Sequence, residues 1–183
     1  MASAEERVNY LELDDRRLLA QCDVHIYKSS GPGGQHRNKV SSAVRLKHQP
    51  TGIGAHGDDS RSQHENKALA LKRLRMNIAC QLRRTLDLEK HQWPEVVRGC
   101  VFAPRGGPGE GGHRLQVGRR DHRFWPVAAF LLDLLEACQG RLSQAAANLG
   151  ITTSNLASVF QDDHHLLTAA NAIRKRHGEG PIR

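Results

Sequence analysis

Two rhythms of apolar and polar residues divide the chain. Cys22, Val24 and Ile26 alternate with Asp23, His25 and Tyr27, a two-residue period that predicts a half-buried strand over 22–27. The period returns over Ala43 to His48, with Val44 and Leu46 facing inward and Arg45 and Lys47 outward. Pro50-Thr51-Gly52 then supplies a turn before a third short strand beginning near Ile53. A short amphipathic helix over 11–21, opened by Asp14 as N-cap, precedes these strands. Beyond them the period lengthens. Ser62 and Glu65 have capping-box spacing and start a helix expected to reach about Arg84, with Leu71, Leu74, Ile78 and Leu82 as its sheet-facing stripe. Arg73 and Arg84 fall roughly opposite, with Lys72 and Arg83 on the flanks.

After Trp93-Pro94 the composition shifts, and residues 103–112 are rich in Gly and Pro, as a linker or exposed loop would be. Gly107-x-Gly109-x-x-Gly112 formally matches a dinucleotide fingerprint, but Pro108 lies inside it and no convincing strand precedes it. The final third is helical in pattern. Pro126 suits a first helical position, and Val127, Phe130, Leu131, Leu134, Leu135 and Cys138 recur as one buried face that Gly140 ends. Leu142, Ala146 and Leu149, a turn at Gly150, then Leu156, Val159 and Phe160 have the look of a helix-turn-helix. A last helix through Leu166, Ala170 and Ile173 leads to Arg174-Lys175-Arg176. Residues 152–161 contain no Arg or Lys, which weakens a major-groove reading and leaves a plain docking bundle as an equal alternative. The predicted fold is α+β: a small β-sheet with one long packed helix over 1–98, a Gly/Pro-rich linker or loop over 99–119, and a small all-α, helix-turn-helix-like domain over 120–183.

Charge narrows the partners. The chain of 183 residues has a formal net charge of +8, and residues 28–98 hold 14 Lys and Arg against 6 Asp and Glu, the footprint expected for a phosphate-backbone partner. Only 4% of residues are aromatic, so the core must be mostly aliphatic. Cys22, Cys80, Cys100 and Cys138 are widely spaced, without zinc spacing or a disulfide framework, so no metal or cofactor is expected. No apolar run approaches the roughly 20 residues of a membrane span, and the acidic start does not look like a targeting peptide. These features predict a cytoplasmic protein with no membrane partner and a monomeric state.

The candidate chemistry sits in residues 29–39, Ser-Ser-Gly-Pro-Gly-Gly-Gln-His-Arg-Asn-Lys. Gly31, Gly33 and Gly34 lack a β-carbon and permit close approach to a ligand; Pro32 limits how far the segment wanders. Gln35 offers an acceptor and two donor hydrogens without charge, which suits orienting a water or an ester. His36, Arg37, Asn38 and Lys39 supply polar and cationic contacts. No Gly-x-Ser-x-Gly elbow is present, so a self-contained hydrolase would be hard to build.

This stretch resembles the signature of the class I peptide-chain release factors and their shorter ribosome-rescue relatives. The likeness runs from Tyr27 to about Ala79. It takes in Ser42-Ala43-Val44-Arg45-Leu46, His48-Gln49-Pro50-Thr51-Gly52-Ile53 and Arg61-Ser62-Gln63-His64-Glu65-Asn66-Lys67 as further blocks in order. The resemblance implies that the ribosome supplies the substrate, and that Gly33, Gly34 and Gln35 enter the large-subunit peptidyl-transferase centre and promote attack of water on the peptidyl-tRNA ester. It implies ribosomal RNA contacts for His36, Arg37, Asn38, Lys39, Arg45, Arg61, Gln63, Lys67, Lys72 and Arg73. His36 is a rival general base, although in the resembling proteins the chemistry is attributed to the glutamine and RNA groups.

Only 32 residues precede Gly33, so a codon-reading domain ahead of it is not expected, and codon-independent release from stalled ribosomes is the expected function. The rescue relatives anchor through a long, very basic C-terminal tail, whereas residues 174–183 here are only mildly basic; the helical domain is expected to serve as the anchor instead. A non-catalytic ribosome- or RNA-binding factor and a DNA-binding regulator acting through residues 140–161 are the alternatives.

Overall fold

The computed structural model describes residues 10–28, 42–89, 93–103 and 113–183. The chain divides into two compact units, Met1–Ala79 and Cys80–Arg183.

In the first unit, strands β1 (Cys22–Tyr27), β2 (Ala43–His48) and β3 (Gly54–Gly57) form an antiparallel sheet in that order. The register aligns Val24 with Leu46 and Ile26 with Val44, so these four share a face. Helix α1 (Asp15–Ala20) opens as the sequence predicts: the Asp14 carboxylate accepts the Arg17 N–H at 2.7 Å. Helix α2 (Gln63–Gln81) runs beside β3, where Arg73 and Asn77 donate to the His56 and Gly54 carbonyls at 2.9 and 2.8 Å. Those side chains occupy acceptors that an edge strand would otherwise offer to another chain. Gly57 is required there: a β-carbon would lie 2.1 Å from the Asn66 carbonyl oxygen.

Three expectations change in this unit. β1 has the predicted limits, but Val24 and Ile26 are 41% and 50% exposed rather than buried. The cause is topological, since β1 is an edge strand and α2 lies along the opposite edge. The predicted capping box is half formed. The Ser62 hydroxyl accepts the Glu65 N–H at 3.3 Å, while the Glu65 carboxylate takes the Ser60 hydroxyl instead of the Ser62 N–H. α2 also stops at Gln81, three residues short of Arg84.

The second unit contains α3 (Glu95–Arg98), a two-stranded ribbon of β4 (Val101–Phe102) and β5 (Arg114–Leu115), and helices α4 (Phe124–Ala137), α5 (Leu142–Asn148), α6 (Thr153–Gln161) and α7 (His164–Arg176). α4 is buried almost all round, from Phe124 through Leu135, as a central helix must be. It begins two residues before Pro126, whose missing N–H falls in the first turn, where no intrahelical partner exists. Its one buried acid, Asp133, accepts the Arg84 backbone N–H at 2.9 Å and has the Arg83 guanidinium 3.5 Å away. Burial pushes Arg83 down to about 10. Glu136 takes contacts from Arg176 and His177; burial would raise it, but these hydrogen bonds hold it below the usual carboxylate range.

Leu86, Val97, Cys100, Leu115 and Val117 belong to the same apolar core as α4–α7. Packing therefore places the division between units after residue 79, whereas the sequence pattern places it after 98. A shift in composition marks where Gly and Pro cluster, not which core a neighbouring Leu or Val joins. Residues 178–183 fold back onto this unit: Ile182 is buried, and its N–H donates to Asn171 Oδ1 at 2.8 Å.

Candidate functional site

Gly33, Gly34, Gln35, His36, Arg37, Asn38 and Lys39 lie outside the described residues. Tyr27, at the end of β1, is the register partner of Ala43, at the start of β2, so the two ends of the intervening segment are side by side on one hairpin. Beneath Ala43 sits a polar hub that periodicity does not reveal. Asn66 of α2 is fully buried, and its Nδ2 donates to the carbonyls of Ser42 and Ser60 at 2.8 Å each. Its Oδ1 accepts the Ser60 N–H at 2.9 Å. One of these bonds ties the helix to Ser42, the residue preceding β2, and the other two hold Ser60 in the turn that leads into the helix. The available signal was an Asn in a helical stretch, where its propensity is poor and a local hydrogen-bonding role is the usual explanation.

The other end of β2 is fixed by a second buried polar residue. The His48 imidazole is fully buried, with Nδ1 2.8 Å from Thr51 Oγ1 and Nε2 3.0 Å from Gln21 Oε1. As placed, Gln21 Oε1 is an acceptor, which assigns the ring proton to Nε2 and leaves Nδ1 to accept from Thr51. The Tyr10 ring meets it edge-on at 4.7 Å. Burial holds His48 below the ordinary imidazole pKa, so it serves as a neutral structural group.

The described cationic residues fall into two kinds. Arg45 is exposed on β2, its guanidinium carbon 5.1 Å from the Tyr27 ring centroid, within reach of a cation–π contact beside the hairpin end. Arg61 and Gln63 are exposed at the start of α2, Lys67 is half-buried one turn on, and Lys72 is exposed. Arg73 is engaged, pairing with Asp59 at 3.0 Å in addition to bonding the His56 carbonyl. Its hydrogen bonds to Asp59 hold that carboxyl below its ordinary range. Arg45 and Arg73 both line an open cleft of about 520 Å³, which also recruits Lys47 and His56, two residues that the sequence pattern did not single out.

Among the described residues no group of three or more His, Cys, Asp and Glu is placed to hold a metal ion, and no helix is long and apolar enough to cross a membrane. The cysteines are free; burial pushes the Cys22 and Cys80 thiols up to about 11, which disfavours the thiolate a nucleophile would need.

The unit is a small antiparallel sheet flanked by one long helix, with the Gly-Gly-Gln sequence between its first two strands. In comparison with known proteins, residues 17–97 match the RF-1 domain. Peptide chain release factor 2 of Helicobacter pylori (strain ATCC 700392 / 26695) is 44% identical over 90 residues, covering 43% of this chain and 23% of that protein. Peptide chain release factor 1 of Erythrobacter litoralis (strain HTCC2594) is 47% identical over 73 residues, 40% of this chain and 19% of that protein. The chain is thus similar, over residues 17–97, to the RF-1 domain of the class I peptide-chain release factors. It spans less than a quarter of the length of these relatives.

Proposed function

We propose that the chain promotes hydrolysis of the ester linking a nascent peptide to tRNA on the ribosome, without reading a stop codon. The observation that carries this reading is the RF-1 match over residues 17–97, which encloses Gly33-Gly34-Gln35. Asn66 supports it by fixing the end of the flanking strand, as a segment that must reach a distant centre requires. Gly33 and Gly34 permit the approach. The Gln35 N–H stabilises the oxyanion formed when water attacks the ester carbonyl carbon, and its side chain places that water. Collapse of the tetrahedral intermediate breaks the bond to the ribose 3′-oxygen. That oxygen takes up a proton, leaving a free peptide carboxylate and deacylated tRNA.

His36, Arg37, Asn38 and Lys39, together with Arg45, Arg61, Gln63, Lys67 and Lys72, supply contacts to ribosomal RNA. Arg73 acts mainly by holding the turn at Asp59. The site is the peptidyl-transferase centre of the large subunit, in the cytoplasm. Codon independence is supported by what accompanies the matched domain: residues 98–183 lie beyond the match and make up most of a helical unit, whose core also takes in Leu86 and Val97 and which serves as the ribosome anchor.

The test is peptide release from ribosomes holding peptidyl-tRNA on an mRNA truncated at the P site, beside matched complexes with a stop or a sense codon in the A site. Release on the truncated complex is expected. Release confined to stop codons would replace this reading with termination, and tight ribosome binding without release from any complex would replace it with a non-catalytic factor.

A further inference from the structure

The helical unit carries a cationic surface that hydrolysis does not use. Residues 113–120 follow α6 from its first turn to its C-cap. His113 bridges to Ile151, the Asn155 side chain bonds both the N–H and the carbonyl of Leu115 at 2.7 and 3.0 Å, and Val117 to Arg120 share an open cleft of about 430 Å³ with Asp162. α6 itself is held from behind by buried Leu156, Val159 and Phe160, and is joined to α5 by a short turn in which Gly150 has φ +64°, the arrangement of two consecutive helices joined by a tight turn. Ser154, Ser158 and Gln161 are exposed at spacings of four and three, so they form one stripe; the Gln161 Nε2 donates to the Arg183 carbonyl at 2.6 Å, which leaves its Oε1 as the acceptor on that stripe. Asn155 and Asp162, seven residues apart, mark the flank of that stripe against which residues 113–120 lie.

Arg114, Arg119 and Arg120 are exposed beside the stripe and have no ion pair among the described residues. The acid nearest in sequence to Arg119 and Arg120, Asp121, is held by Arg123 through contacts of 2.7 to 3.1 Å. Asp162 lines the cleft and disfavours a phosphate inside it, so the arginines are available along the stripe rather than within the cleft. The surface thus consists of neutral hydroxyl and amide groups bordered by three arginines.

This chemistry discriminates between nucleic acids. Reading base edges in a DNA major groove relies chiefly on Arg, Lys, Asn or Gln on the inserted helix; residues 152–161 have no Arg or Lys, their one Asn is engaged by Leu115, and the amide nitrogen of their one Gln is engaged by the Arg183 carbonyl. An A-form RNA duplex instead presents 2′-hydroxyls across a wide, shallow minor groove, and is recognised through these and its phosphates. We infer that this surface binds the duplex of structured RNA, with Ser154, Ser158 and the Gln161 Oε1 on 2′-hydroxyls and Arg114, Arg119 and Arg120 on the flanking phosphates. The inference goes beyond hydrolysis, and its test contains no ribosome, so the two stand or fall separately.

The full chain is titrated into a fluorescent RNA hairpin whose stem is about 16 base pairs, and into a DNA duplex of the same sequence. Combined Arg114→Gln, Arg119→Gln and Arg120→Gln substitutions are expected to weaken RNA binding about tenfold or more and to reduce the log–log salt slope by about 2 to 3. Arg141→Gln with Lys175→Gln, which removes two exposed cations elsewhere on the unit, is expected to change affinity by less than about threefold. Ser158→Glu keeps all three arginines and places a charge on the stripe; it is expected to weaken RNA binding by a similar factor and decides the matter if the triple variant misfolds. Equal losses in the control pair, unchanged binding in the triple variant and Ser158→Glu, or DNA bound as tightly as RNA would each overturn the inference.

Discussion

The two units solve the problem of stability in different ways. The helical unit buries α4 on nearly every side and closes a continuous apolar core from Leu86 to Ile182. The sheet unit has short strands, an edge strand whose Val24 and Ile26 stay exposed, and a long helix along one side. It compensates with buried or anchored polar side chains: Asn66 on Ser42 and Ser60, His48 on Gln21 and Thr51, and Arg75 on the Leu11 and Leu13 carbonyls at 2.9 and 2.6 Å. A hydrogen bond contributes only about 1 kcal/mol when made, but leaving a buried partner unpaired costs about 1–3 kcal/mol. Polar tethers therefore set geometry more than they add stability, which suits a unit that must present a segment at a fixed position.

If this contrast holds, the largest effect of a single truncation belongs to the helical core. Leu134→Ala, at a fully buried position of α4, is expected to destabilise by about 3 kcal/mol. Both tryptophans, Trp93 and Trp125, lie in this unit, so their fluorescence during denaturant unfolding reports it directly. A loss below about 1 kcal/mol would mean that α4 is not the centre of a tight core. In the sheet unit, Asn66→Ala strands the Ser42 carbonyl and the Ser60 N–H and leaves the Ser60 carbonyl only the 3.3 Å bond from the Ser42 hydroxyl. It is expected to cost about 2 kcal/mol locally, seen as faster amide exchange at the start of β2, and to slow peptide release more than it weakens ribosome binding. Unchanged exchange and release would remove Asn66 from any positioning role.

The smallest effect is a pH dependence. Because burial depresses His48, the unfolded chain takes up its proton first as pH falls. The stabilisation is present in full above about 6.5 and is lost as pH falls below that value toward the folded-state pKa. Titration of the His48 ring by NMR should give a pKa below 6.5, and the sheet unit should lose stability on acidification from pH 7 to 5; a normal or raised pKa would contradict the neutral, doubly bonded imidazole.

The same contrast explains what the sequence could disclose. Alternation placed both ends of β1 and β2, and the Asp14 cap was legible because capping depends on neighbouring residues alone. Helical periodicity likewise found α7, whose apolar positions Leu166, Ala170 and Ile173 are all buried. The exposure of Val24 and Ile26 was not legible, because alternation shows which residues share a face and not whether a layer covers it. Nor was the engagement of Arg73, since a charged residue on a helix flank looks alike whether it faces solvent, RNA or an aspartate 14 residues earlier in the chain. Leu86 and Val97 join a core built from residues far along the chain, so no local pattern assigns them to it. The Gly-Gly-Gln segment is the reverse case, distinctive in sequence and outside the described residues.

The central claim is that Gly33-Gly34-Gln35 delivers hydrolysis and that the rest of the chain positions it. Single-turnover peptide release at saturating protein, compared between the native chain and Gly34→Ala, tests it most directly. One added methyl should obstruct the approach to the ester, so release is expected to fall by about a hundredfold or more, the range for losing a transition-state contact, while co-sedimentation with ribosomes is retained. Release that continues at the native rate in Gly34→Ala would show that the ester is cleaved by other groups.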